Sequence, residues 1–233
     1  TMVGYATVDG SNWTCVIDTT YLVDGARTLT ATVEDYPGNS AAVSVPISIT
    51  NGGVVSLGGA KSRAIGETAK FGNAIVVAGT DLVSGAFYAE APDRSSGIRV
   101  TTDQTIHAGD IVSVSGTLAN VGVEKSIQAN DVVVVSSGNG LPKPLGVSIP
   151  WLLNHGLDSL GKIVKVWGSV GSADSAIPAK WFTIDGGPGF SVKCLVPSGI
   201  TPTPSGFVTV VGVCGMDESG GAVVYVANSG DVR

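Results

Sequence analysis

The chain has 233 residues, with 13 lysines and arginines against 19 aspartates and glutamates and a formal net charge of −6. That field repels polyanions, which disfavours sequence-independent nucleic-acid binding, and no run of ~18 apolar residues is present to make a membrane-spanning helix. Charged residues make up only 14%, against ~25% in an average globular domain; Gly, Ser, Thr and Val fill the deficit, the composition of strands joined by tight turns.

In residues 1–50, positions 4–8 alternate, Asp9-Gly10 turns the chain, and 13–17 alternate again. Asp24-Gly25 marks the next corner. Residues 28–34 (TLTATVE) set Leu29, Ala31 and Val33 on one face. Pro37-Gly38-Asn39 then makes a hairpin into the return strand, 41–49. The wording TVDGSNWTCVIDTTYLVDGARTLTATVEDYPGNSAAVSVPISI resembles the C-terminal part of bacterial immunoglobulin-like modules of secreted and surface proteins. The resemblance implies about the last four strands of such a module, with the first strands absent. Residues 1–50 therefore read as a partial Ig-like β-sandwich. The chain begins at Thr1 rather than Met, which points to a removed leader or a piece of something longer.

After Asn51-Gly52-Gly53 the chain repeats itself. Residues 86–116 (AFYAEAPDRSSGIRVTTDQTIHAGDIVSVSG) return as 181–212 (WFTIDGGPGFSVKCLVPSGITPTPSGFVTVVG). Phe87-Tyr88 aligns with Trp181-Phe182, Ile98-Arg99 with Val192-Lys193, and Gly116 with Gly212. The first copy reads as a long bent strand (70–79), a hairpin (87–90 and 97–101), and two more strands (111–118 and 125–135). The second reads as strands 163–170, 180–184, 190–196, 207–213 and 222–226. Five strands with a long bent first one are the pattern of an OB-fold, a small Greek-key barrel. GDIVSVSGTL and APDRSSGIRV resemble OB sequences, the second a variety found beside Ig-like modules in exported bacterial proteins. The expected fold is thus all-β: a partial Ig-like sandwich (1–50) and two five-stranded OB-type barrels (54–147 and 156–233). Leu141-Pro-Lys-Pro-Leu145 reads as a stiff connector, and 149–154 as one helical turn with Pro150 at its start.

Little in the sequence points to a reaction. His107 and His155 fall in loops of different barrels without partners. Ser159-Leu-Gly-Lys162 spells S-x-x-K but runs into a strand where that chemistry needs a helix. Asp9, Asp18, Asp24, Glu34 and Asp35 have calcium-ligand chemistry without a D-x-D-x-D-G loop, and read as turn caps. Asn12-Trp13-Thr14 has the form of a glycosylation sequon. No catalytic, metal or cofactor residue is assigned. Cys15, Cys194 and Cys214 lack CxxC spacing. Cys194 and Cys214, expected on neighbouring strands, admit a disulfide, with two buried free thiols as the alternative.

Adjacent strand residues face opposite ways, so one ring of each aromatic doublet enters its barrel. The other, beside Arg99 or Lys193, offers a candidate ligand face: Tyr88, Arg99, Phe182 and Lys193, with glycan preferred over nucleic acid. The alternative is that these rings pack on the neighbouring domain. The function expected is a non-enzymatic extracellular structural protein. It would be a subunit of a surface filament or assembly, joined head-to-tail to other copies of itself where strands complete the 1–50 unit. The runner-up is an accessory glycan-binding region of a larger secreted enzyme, with polysaccharide as partner.

Overall fold

The computed structural model describes residues 6–9, 12–17, 19, 25–50, 53–153, 158–201, 203–217 and 219–233. It is 55% strand and 7% helix, an all-β protein. The chain divides into two compact units, Thr1–Val54 and Val55–Arg233. Residues 4 and 5 of the first expected strand, Asp18, Asp24, His155 and the expected start of the second barrel at 156 lie outside the described residues.

The N-terminal unit contains two separate two-stranded sheets among the described residues. β1 (Thr7–Asp9) pairs antiparallel with β2 (Asn12–Thr14). β3 (Gly25–Glu34) pairs with β4 (Ser40–Ile49) in unbroken register. Asp35 closes their turn: its carboxylate accepts from the Asn39 main-chain N–H at 2.8 Å and from the Asn39 amide at 3.0 Å, while Gly38 supplies a φ of +91°. Those two bonds hold the Asp35 carboxyl below its usual range. Cross-strand pairs Leu29–Val45, Ala31–Val43 and Val33–Ala41 make one face apolar, and the other carries Thr28, Thr30 and Thr32 opposite Pro46, Ser44 and Ala42. That apolar face is exposed towards the turn, with Val33 67%, Val43 55% and Val45 52% exposed, half-buried at Leu29, Ala31 and Ile47, and buried at Ile49.

The C-terminal unit is two closed five-stranded barrels in tandem. In the first, β5 (Val54–Val55) and α1 (Leu57–Ser62) precede β6 (Thr68–Ala78), β7 (Ala86–Glu90), β8 (Gly97–Thr101), β9 (Ile111–Val121) and β10 (Glu124–Ser136). In the second, β11 (Leu145–Gly146) and α2 (Ile149–Leu153) precede β12 (Ile163–Ala173), β13 (Ala179–Asp185), β14 (Ser191–Ile200), β15 (Phe207–Met216) and β16 (Ala222–Tyr225). A 3-10 turn at Ser229–Asp231 ends the chain. The hydrogen-bonded order is β6-β7-β8-β10-β9, closed by β6–β9, and β12-β13-β14-β16-β15, closed by β12–β15. Within each barrel the third and fifth strands run parallel, β8 with β10 and β14 with β16, and the short β11 adds parallel to β12. This Greek-key closure is compatible with OB-type modules.

Sequence explains why each barrel closes. β6 pairs with β9 from Thr68 to Ile75 and with β7 from Ile75 to Ala78, and its register against β9 slips at Gly72-Asn73. Asn73 adopts a φ of +56° there, a conformation asparagine tolerates better than most residues. Gly116 and Gly212 are equivalent. Gly116 faces Ala69 and Ala129 in register, and Gly212 faces Val164. A Cβ at Gly116 would fall 2.6 Å from Ile127 Cγ2 and 2.9 Å from Ala129 Cα. One at Gly212 would fall 2.6 Å from Val224 Cγ1. Both glycines lie within their strands rather than at the ends, so they serve close strand approach.

Each barrel is filled by its own core, and each has a short helix across one end. Leu57 and Ala60 of α1 enter the first core, which contains Phe71, Phe87, Val100 and Ile127. Ile149 and Leu152 of α2 enter the second, with Phe182, Ile184, Val210 and Val224. Ser56 caps α1, accepting from the Gly59 N–H at 3.0 Å. Residues 145–153 therefore belong to the second barrel, although the expected boundary left 145–147 with the first. α2 itself matches the expected turn.

Candidate functional site

The structure separates the four residues of the expected ligand face. Pairing sets Tyr88 opposite Arg99, but Thr183 opposite Lys193. Arg99 and Lys193 are thus equivalent, whereas the aromatic doublets are offset by one residue. Phe182 takes the place of Phe87, inside the barrel, and is fully buried in the second core. A one-residue offset exchanges faces, so Phe182 is withdrawn from the face and Trp181 is the outward ring. Lys193 lies over it, its Nζ 4.8 Å from the ring centroid.

Tyr88 does leave the first barrel's core, yet it is 0% exposed. It is buried against the second barrel in a small cluster with Val77, Ala78, Val83, Ala86 and Val213, its ring centroid 5.8 Å from that of Tyr225. Gly215 leaves room for it, since a Cβ there would overlap the Tyr88 hydroxyl. The Tyr88 hydroxyl donates to the Glu124 carboxylate, 2.9 Å from Oε2, and Arg99 Nη1 approaches the same oxygen at 3.5 Å. The Tyr88–Arg99 face is therefore a packing surface between barrels, the alternative the sequence left open.

Further contacts complete this junction. The buried Glu90 accepts from the Ile163 N–H at 3.0 Å. Lys162 Nζ donates to the Ser95 carbonyl at 3.0 Å, and Lys61 pairs with Asp158 at 2.6 Å. Gly97 and Gly161 touch backbone to backbone, with no space for a Cβ on either. Burial raises both the Glu90 and Glu124 pKa values; it is opposed at Glu90 chiefly by the Ile163 N–H and at Glu124 by the Tyr88 hydroxyl and Arg99. The second barrel carries Thr183 where the first carries Tyr88, so the junction is heterologous.

The cysteines are corrected as well. Cys194 on β14 and Cys214 on β15 both face Val224, from opposite sides of β16. With strands ~4.8 Å apart, an intervening strand puts their Cα atoms beyond the ~7 Å a disulfide spans. Both are buried free thiols in the core, each pushed up to about 12 by burial. Ser159 and Lys162 lie in a turn, the Lys162 N–H donating to the Ser159 carbonyl, and the chain then enters β12. His107 is exposed.

A second surface went unread in the sequence. Beside α2, a cleft of about 350 Å³ is lined by Ser148, Ile149, Pro150, Trp167, Gly168, Asp185, Gly186, Gly187 and Phe207. Trp167 and Phe207 stand on the outside of β12 and β15, 41% and 69% exposed. The repeat could have revealed this difference between the copies. Gly168 faces Val208 as Ala74 faces Val112, which sets Asn73 and Ile111 of the first barrel where the second has Trp167 and Phe207.

No helix is long and apolar enough to cross a membrane among the described residues. Compared with protein-family models and with curated proteins, the chain has no match.

Proposed function

We propose that this protein is a non-enzymatic structural subunit of an extracellular assembly, in which the N-terminal unit of one copy is completed by strands of another. The observation that carries this reading is the apolar face of β3–β4, which is exposed at Val33, Val43 and Val45, with Leu29, Ala31 and Ile47 half-buried and only Ile49 buried among the described residues of that face. An Ig-like sandwich buries such a face under a second sheet. At roughly 25 cal/mol per Å² of apolar surface, a small sheet left open forgoes several kcal/mol, too much for a unit of ~50 residues. Both outer edges of the pair also lack a partner strand among the described residues, the geometry that accepts a strand from another chain. A contact that joins the N-terminal unit of one copy to a different surface of the next is head-to-tail, and it propagates unless it closes into a ring. The resemblance of residues 1–50 to Ig-like modules of bacterial surface proteins supports the extracellular setting.

The experiment is sedimentation velocity of the chain over a wide concentration range, with limited proteolysis at each end of it. Polymers that grow with concentration, and N-terminal residues that become resistant as they grow, are expected. A compact monomer at every concentration with residues 1–50 already protected would defeat the proposal.

A further inference from the structure

We propose that the cleft bounded by Trp167, Phe207 and Asp185 is a binding site for a neutral carbohydrate chain. Trp167 faces Thr209 and Ser169 faces Phe207, which makes the two rings diagonal neighbours on one outer face, within reach of a shared ligand. Their exposure is not forced by the core: Val166, Val208 and Val210 fill the barrel on the opposite side of the same strands. Two large rings side by side in water mark a contact surface, and the first barrel, built on the same plan, has none there.

The rest of the cleft is polar and small. Asp185 ends β13 on the outer face, Ser148 precedes α2, and Gly186 and Gly187 bring main chain to the surface without side chains. Flat apolar rings beside a few directional hydrogen-bonding groups match a pyranose, which has apolar C–H faces and hydroxyls at its rim. No lysine or arginine lines the cleft, and Asp185 together with the net charge of −6 repels acidic sugars. A volume of about 350 Å³ is at the small end of the range of clefts that hold small ligands. The site stands apart from the assembly reading, because it uses no residue of the N-terminal unit.

The test is affinity electrophoresis of the full chain in native gels containing soluble xylan, mixed-linkage β-glucan, mannan or amylose, with polygalacturonate as the anionic control. At least one neutral gel is expected to retard it. Trp167→Ala and Phe207→Ala should each weaken that binding about tenfold, and Trp167→Phe should keep most of it. Trp181→Ala removes a ring held by Lys193 on other strands and should bind like the parent. Unchanged melting temperatures show that these surface variants fold. Passage through all four neutral gels without retardation overturns the proposal. So does retardation by polygalacturonate alone, or retardation that survives Trp167→Ala/Phe207→Ala together. A chain that binds glycan yet stays monomeric would sustain this site while defeating the assembly reading.

Discussion

At the scale of the residue, the junction between barrels holds the chemistry that most affects stability. Glu124 and Glu90 titrate above the ordinary glutamate value of 4.5 because they are buried. A carboxyl whose folded pKa is raised binds its proton more tightly in the folded state. Its stabilising contribution is full below about 4.5 and is lost as pH rises through the folded value. Glu124→Gln keeps an acceptor for the Tyr88 hydroxyl and removes the titration. The parent's melting temperature relative to that variant should therefore be higher at pH 5 than at pH 7; a difference independent of pH would contradict the assignment. The thiols give a second residue-level expectation. Unreduced, denatured protein should titrate as three free cysteines, and the native protein should leave Cys194 and Cys214 slow to react, being both buried and far from their thiolate range. Two fewer thiols on denaturation would show a bridge across β16.

At the scale of the element, the strands were legible and the helices only half so. Alternating Val and Thr bounded by Gly and Asp located the barrel strands within a few residues, because a strand with one buried face writes its period into the chain. α1 escaped notice since its Gly58-Gly59 pair opposes helix propensity; the Ser56 cap and burial of Leu57 and Ala60 hold it instead. The signal present was Val55-Ser56-Leu57 returning as Val147-Ser148-Ile149. The ligand face failed for another reason: aligning aromatic doublets by type conceals a one-residue slip that only pairing reveals. The repeated glycines carry the clearest test at this scale. Gly116→Ala and Gly212→Ala should each destabilise by about 1–3 kcal/mol in denaturant titration, because the added methyl meets main chain and a β-branched side chain. Gly138→Ala meets no atom within 4 Å but has a φ of +72°, so its smaller loss, ~1 kcal/mol, measures backbone strain alone. Equal losses at all three would remove the close-approach explanation.

At the scale of the whole molecule, the C-terminal unit and the N-terminal unit pose opposite problems. The two barrels bury their cores and share a junction with charged groups held by hydrogen bonds, so they form one self-sufficient body. The β3–β4 sheet has the alternation of a core strand, yet leaves Val33, Val43 and Val45 exposed. Periodicity shows that a face must be buried; it does not show by what, and the partner lies outside any single chain's pattern. A charge on that face should block assembly while leaving the barrels untouched. Val43→Lys is expected to keep the main melting transition and to remove concentration-dependent growth in light scattering. Growth as in the parent would show that the face is not the contact. The most direct measurement is hydrogen exchange of the β3 and β4 main-chain amides at low and high protein concentration. If a second copy adds a strand, the amides on one outer edge of the pair become protected as concentration rises, while the barrel amides stay as they were. Exchange along both edges that is the same at every concentration would contradict completion by another copy.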